Sequence, residues 1–261
     1  MIRLKTKKDI EGIALSGKIA ALIMKELISS VKPGIALKDL ERFSNNAFKK
    51  YNAQPAFLGF KPTGAKNPYP FSICTSVNET IVHGQPTDYQ LKNGDVLKID
   101  LGVVYQGYYS DTAFTCAVGG VALKVKKLIE ATQKALDKAI AAAQVNNTLG
   151  DIGFAIEKTA ETYGFSVIKV LTGHGTGFSL HEEPTVYNFG KKGEGMVLKS
   201  GMVLAIEPML SMGSNKIKKQ KDDSYATVDG SLSAHFEHTV AITEKGPRIL
   251  TSLNSNNKIQ I

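Results

Sequence analysis

Hydrophobic positions early in the chain recur at helical spacing. Ile10, Ile13, Ala14, Ala21, Met24, Ile28 and Val31 follow the 3.6-residue period until Pro33-Gly34 ends the run. Thr6 followed by Asp9 has the spacing of an N-terminal capping box for that helix. A second helix is predicted from about Leu37 to Tyr51. The pattern then changes. GFKPTGAKNPYP is loop chemistry, and the stretches 71–77, 79–83, 95–104 and 107–118 read as strands. The same order returns afterwards. VALKVKKLIEATQKALDKAIAAAQ at 121–144 is helical, and Thr148 with Asp151 caps a further helix ending near Gly164. Strand-like segments follow at 166–172, 202–207, 225–229 and 235–243.

The repetition reaches individual residues. NGDVLKID at 93–100 lies over SGMVLAIE at 200–207 at a constant offset of 107. Gly94 then matches Gly201, Val96 Val203, Leu97 Leu204, Ile99 Ile206 and Asp100 Glu207. His83-x-x-Pro86 likewise returns as His181-x-x-Pro184. The chain reads as two related halves, each placing a carboxylate at the same point of the same strand.

Those carboxylates carry the candidate chemistry. Gln106-Gly107 suits a two-residue hairpin, since glycine supplies the positive φ that tight turns need. That turn sets Asp111 opposite Gly102, on the face that Asp100 also occupies. The two acids become diagonal neighbours, about 7–8 Å apart at the backbone. One acid in an apolar strand is most simply ion-paired. Two on one face repel unless cations lie between them. His174 in LTGHGTG, which its flanking glycines leave sterically open, joins Glu207 in VLAIEPML and Glu237 in AHFEHTVAI. Oxygen-rich donors with one nitrogen suit one or two divalent first-row metals rather than a Cys-rich structural zinc site. Four acids overcharge one ion. Two ions about 3.5–4 Å apart balance them, and such sites hydrolyse amides or phosphoesters.

Composition sets bounds on this picture. The chain has 261 residues, 43% hydrophobic, which suffices for one large domain or two small ones. A formal net charge of +8 favours polyanionic partners without identifying one. Cys74 and Cys116 form no CxxC pair and read as reduced thiols. The start, MIRLKTKKDIEG, has no apolar signal region, and IAALIM at 19–24 is too short to span a bilayer. A cytoplasmic monomer without membrane attachment is expected.

Taken in order, Asp100 and Asp111, His174 in GHG-x-G, His181 in HEEP, Glu207 in IEP and Glu237 in SLSAHFEHT closely resemble the type 1 methionine aminopeptidases. TSVNETIVHGQP at 75–86 and AITEKGP at 241–247 extend the similarity over nearly the whole chain. The resemblance implies an α+β pita-bread fold: two pseudo-symmetric halves with curved antiparallel sheet inside and helices outside. It implies one catalytic domain over 1–261, with halves of roughly 1–118 and 119–261. It also implies two divalent metal ions, such as Fe(II), Mn(II) or Co(II). Asp100 would bind one, His174 and Glu207 the other, and Asp111 and Glu237 both. His83 and His181 would contact the substrate and stabilise the tetrahedral intermediate, with Glu207 as a proton shuttle. The substrates would be nascent polypeptides with N-terminal methionine. By alignment of motifs, Phe60, Tyr69, Cys74 and Leu180 would line the methionine pocket, where sulfur meets aromatic rings.

Some positions depart from the family pattern. GHGTGFSLHE stands where GHGIGR-x-FHE is common, so Thr176, Phe178 and Leu180 replace isoleucine, arginine and phenylalanine. KPTGAKNP at 61–68 lengthens a loop at the pocket rim, and DDSYATVDG stands where a tryptophan is frequent. The basic run SNKIKKQKDD at 214–223 reads as a solvated loop, with docking to ribosomal RNA as the alternative. Two rival functions share part of the pattern. An X-Pro dipeptidase or aminopeptidase P has the same fold but usually a separate N-terminal domain, for which this chain has no room. A non-catalytic binding protein would keep the fold without the metals, and the retention of all five ligand types speaks against it.

Overall fold

Helices form where the sequence supplies caps and an apolar face. In the computed structural model, which describes residues 2–61 and 67–253, these are α1 (Lys7–Ser30), α2 (Leu37–Lys50), α3 (Leu123–Ala142) and α4 (Leu149–Tyr163). Both expected capping boxes are present: Thr6 with Asp9 opens α1, and Thr148 with Asp151 opens α4. Each satisfies backbone N–H groups that a helix start leaves without intrahelical partners. Gly164 in the left-handed region closes α4. The buried face of α1 runs through Ile10, Ile13, Ala20, Ala21, Ile23, Met24 and Leu27. Gly17 lets this helix approach the Leu250 carbonyl, which a Cβ there would meet at 2.3 Å.

The strands follow in chain order. β1 is Gln54–Pro55, β2 Cys74–Val77, β3 Thr80–Val82, β4 Val96–Tyr105, β5 Tyr108–Ala117, β6 Ser166–Val167, β7 Thr172–Gly175 and β8 Glu182–Tyr187. β9 is Val203–Ile206, β10 Met209–Ser211, β11 Ile217–Lys219, β12 Tyr225–Thr227, β13 Ser233–His235, β14 Glu237–Thr243 and β15 Gly246–Ile249. The main sheet runs β1-β4-β5-β14-β9-β7-β8, with β2 added beside β4 and β15 beside β14. Its strand pairs are antiparallel. The β4–β5 register is the one that the turn demands, with Gly102 opposite Asp111 and Tyr105 opposite Tyr108. Gln106 and Gly107 both have positive φ, 50° and 81°.

The apolar core lies between this sheet and the helices. It gathers Ile23, Met24 and Leu27 of α1, Leu128, Ala135 and Leu136 of α3, and Leu97, Ile99, Leu101, Leu204 and Ile206 of the sheet. The opposite faces of the central strands carry polar side chains, and there the sheet's curl encloses the candidate site.

Several strand expectations differ from the structure. The segment 166–172 divides into two short strands, β6 and β7, which join different sheets. The segment 235–243 begins earlier and breaks at Phe236, because the chain changes partners: β13 pairs with β10, and β14 then pairs with β9 and β5. Periodicity reports which face a side chain takes, not which neighbour its strand selects. The basic run 214–223 is not simply a loop. Ile217–Lys219 pairs with β12, which itself pairs with β3. Of the lengthened loop at 61–68, residues 62–66 lie outside the described residues.

Candidate metal centre

Two cross-strand rows build the site. Cys74, Asp100, Ala113 and Glu237 stand opposite one another across β2, β4, β5 and β14. His174, Ala205 and Thr239 form a second row across β7, β9 and β14. Side chains in register share a face. A small alanine in each row leaves room for the longer ligands beside it. Asp111, two residues before Ala113, takes the same face. Glu207 follows β9 directly, and Pro208 after it can donate no backbone hydrogen bond.

The expected ligands converge. Ligand atoms of Asp100, Asp111 and Glu237 lie within 4.8 Å of one another, as do those of His174, Glu207 and Glu237. A third group at this spacing joins Asp111 and His174 to His181. His174 Nε2 stands 3.7 Å from Glu207 Oε1 and 3.9 Å from Asp111 Oδ2. Its Nδ1 lies 2.9 Å from the Gly175 carbonyl, which can only accept, so that nitrogen carries the proton. Nε2 is left with a lone pair aimed among the carboxylates. The flanking glycines serve a purpose other than opening the ring. A Cβ at Gly173 would meet Ala205 O, and one at Gly175 would meet Glu183 O, each at 2.3 Å. They permit close strand approach.

The electrostatics identify what the cluster fits. Burial raises the carboxyls of Asp100, Glu207 and Glu237 well above the ordinary range, and neighbouring carboxylates add to the effect. Asp111 is pushed up to about 7 by burial, opposed by the N–H of Thr112. Asp100 Oδ1 and Glu237 Oε1 are buried with no hydrogen-bond partner among the described residues. Such atoms are costly unless something compensates them. Divalent cations would satisfy the orphaned oxygens and relieve the repulsion, so the donor set fits them. Burial and the nearby His181 lower His174 to about 3, which keeps it neutral and able to ligate.

Two further histidines stand at the mouth. His83 adopts φ 62° at the end of β3, a strained conformation for a non-glycine residue, and its ring lies 5.9 Å from that of Tyr225. His181 packs edge-on against His174 at 4.3 Å and Phe60 at 4.9 Å. Burial, then the charge of Lys219, lowers His83. Burial, then His83, lowers His181 to about 4. Beside them Phe57, Cys74 and Leu180 form a small apolar cluster joined by Ala56, Phe60, Tyr69 and Tyr109. All four residues expected in the pocket therefore meet. The Tyr69 hydroxyl is anchored to the carbonyls of Ile73 and Gly84. Burial raises the Cys74 thiol well above its usual value, so it stays neutral.

Sequence reasoning missed Phe57 and Tyr109: Phe57 clusters with Leu180 only in the fold, and the Tyr109 N–H in β5 donates to Gly177 O. It also missed His235, whose buried Nε2 lies 3.2 Å from Glu207 Oε2. Its position two residues before Glu237, in AHFEHT, was the available signal.

A curled antiparallel sheet, helices on its outer face and an acid-rich donor cluster within define a metallohydrolase. Residues 11–244 match the model of metallopeptidase family M24. A methionine aminopeptidase of Aquifex aeolicus is 45% identical over 258 residues, covering 97% of this chain and 99% of that protein. The crystal structure of a methionine aminopeptidase from Thermotoga maritima superposes with a TM-score of 0.92 at 42% identity, covering 97% of this chain and all of that one. The prolidase of Pyrococcus furiosus matches with a TM-score of 0.75 at 26% identity, and this chain spans 66% of its length. The fold is the pita-bread fold that these enzymes share. The chain belongs to metallopeptidase family M24 and, within it, to the methionine aminopeptidases.

Proposed function

We propose a residue-level scheme by which this metallopeptidase removes the N-terminal methionine of peptides and nascent proteins. It acts as a single domain over 1–261, with halves of roughly 1–118 and 119–261. The observation that carries the scheme is the donor cluster beside an apolar cluster, with Cys74 directly opposite Asp100. Divalent metal held there would supply Lewis acidity toward the scissile carbonyl and would lower the pKa of water toward neutrality. Asp100 would hold one ion and His174 with Glu207 a second. Asp111 and Glu237, which share one donor group with Asp100, would serve both. Oxygen-rich sites of this kind suit Fe(II), Mn(II) or Co(II).

The remaining steps belong to side chains. Phe60, Tyr69, Cys74 and Leu180 take the methionyl side chain, with its polarisable thioether against aromatic rings. His181, neutral at working pH, donates a hydrogen bond to the oxygen on which charge develops. His83 holds the scissile amide from the opposite rim. Glu207 passes a proton from water to the leaving amine. Methionine leaves with its new carboxylate, and the polypeptide keeps its new amine.

Chelation followed by stepwise metal return, run beside Asp100→Asn, tests the scheme. Cleavage of Met-Ala-Ser is expected to fall at least about 100-fold in the stripped enzyme and the variant. Metal return should restore the wild type and not the variant. Full activity in either overturns the scheme. Cleavage of Ala-Pro-Ala instead of Met-Ala-Ser would favour the prolidase-like reading.

The proposed setting is a cytoplasmic monomer. Among the described residues no helix is long and apolar enough to cross a membrane. The exposed lysines Lys216, Lys218, Lys219 and Lys221 support ribosomal RNA as a secondary docking partner.

A further inference from the structure

The turn at 176–182 lies between the cleft and residues 2–5. Facing the cleft it presents Leu180, buried in the pocket cluster, and His181. Its outer side is held by the segment that precedes α1. Lys5 Nζ stands 2.6 Å from Glu182 Oε2, and the two side chains are only 1% and 11% exposed. The Arg3 guanidinium stacks 4.2 Å over the Phe178 ring, with Lys5 Nζ 5.2 Å from the same centroid. The Lys5 backbone N–H donates to Gly201 O at 2.7 Å, which anchors the strap just ahead of β9.

Glu182 is the junction. Its Oε1 accepts the backbone N–H groups of Phe178 at 2.6 Å and Ser179 at 2.9 Å, while Oε2 takes the ammonium. One carboxylate thus ties the strap to the backbone of the turn. A buried ion pair adds little net stability, because desolvation opposes the attraction, but it tolerates little displacement of either partner. Gly177, at φ 127°, lies against the stem of Lys5 and the side chain of Ile13, so the turn is seated on strap and helix together. His181 is the next residue before Glu182 in the chain. The turn backbone that the carboxylate ties down at Phe178 and Ser179 is thus the one that leads directly to the imidazole.

We propose that Lys5 is a positioning residue that acts through Glu182 to fix the His181 imidazole at the scissile bond. The proposal rests on the reading of His181 as oxyanion donor, and a double-mutant cycle separates the two. Wild type, Lys5→Met, His181→Ala and the double variant are compared at equal, measured metal content on Met-Ala-Ser. Lys5→Met is expected to lower kcat about tenfold, since misplacement near 1 Å can cost up to about 100-fold. In the His181→Ala background the same change should cost less than about twofold, because the group it positions is gone. Lys5→Arg, which keeps the charge, should stay within about threefold of wild type. Equal losses in both backgrounds overturn the proposal, as does wild-type kcat in Lys5→Met. Wild-type activity in His181→Ala instead overturns the reading of His181, and the proposal with it. Should Lys5→Met fail to fold, Glu182→Gln takes its place in the same cycle under the same criteria.

Discussion

At the scale of the residue, the surroundings of Asp111 and the carboxyls beside it favour their protonated forms, and a metal bound there would displace those protons. Burial pushes Asp111 up to about 7 and Asp100, Glu207 and Glu237 well above the carboxylate range. Protons would therefore compete with metal below neutrality, and its binding would release them. His174, lowered to about 3, is already neutral and adds no proton to that release. Apparent metal affinity should rise between pH 6 and 8. Titration calorimetry at pH 6.5 should give heats that depend on the buffer's ionisation enthalpy. Identical heats in two such buffers would contradict protonated ligands. The sequence already disclosed the four carboxylates that meet here, because acids in apolar strands are conspicuous, and His174 between its two glycines. It gave no sign that Gly173 and Gly175 serve close strand approach, since their contacts come from Ala205 and Glu183 in other strands.

At the scale of the element, β5 and β14 meet over a short register, Ala113 with Glu237 and Thr112 with His238. Threonines extend the junction. The Asp111 N–H donates to Thr239 Oγ1, whose hydroxyl donates in turn to Asp111 O, both at 2.8 Å. Thr112 Oγ1 donates to Glu237 O, and Thr115 Oγ1 to His235 O. These side chains supplement a ladder of only two residue pairs, and they hold the strands that carry Asp111 and Glu237 in register. Thr239→Val should leave the Asp111 backbone groups unpaired and cost about 1–3 kcal/mol. Urea unfolding of the metal-free protein reads that loss, and Thr239→Ser should recover most of it. A valine variant as stable as wild type would show that the junction does not depend on this hydroxyl. The hairpin β4–β5 was legible because one short turn fixes its register. The break at Phe236 was not, because apolar alternation is the same whichever sheet accepts the strand.

At the scale of the whole molecule, charge and topology act together. The basic segment 214–223 is lifted onto β11, beside the β12 strand that carries Tyr225 to His83. Lys219 pairs with Asp223 at 2.6 Å, whereas Lys216, Lys218 and Lys221 also stand exposed. Neutralising all four lysines is expected to weaken co-sedimentation with ribosomes at low salt while leaving cleavage of Met-Ala-Ser within about twofold of wild type. Unchanged co-sedimentation would remove ribosomal RNA as a partner.

The sequence by itself determined the four helices, their two capping boxes, the β4–β5 register and the identity of the donor residues. Each of these is written in local spacing: a 3.6-residue period, a cap three residues from its partner, a two-residue turn. Tertiary structure alone decided that Ala113 and Ala205 sit within the two cross-strand rows, and that His235 reaches Glu207. It alone brought Lys5 to Glu182, 177 positions apart in the chain. Such meetings depend on which strands become neighbours once the sheet curls. That choice is settled by packing over the whole core, and short-range periodicity carries no record of it.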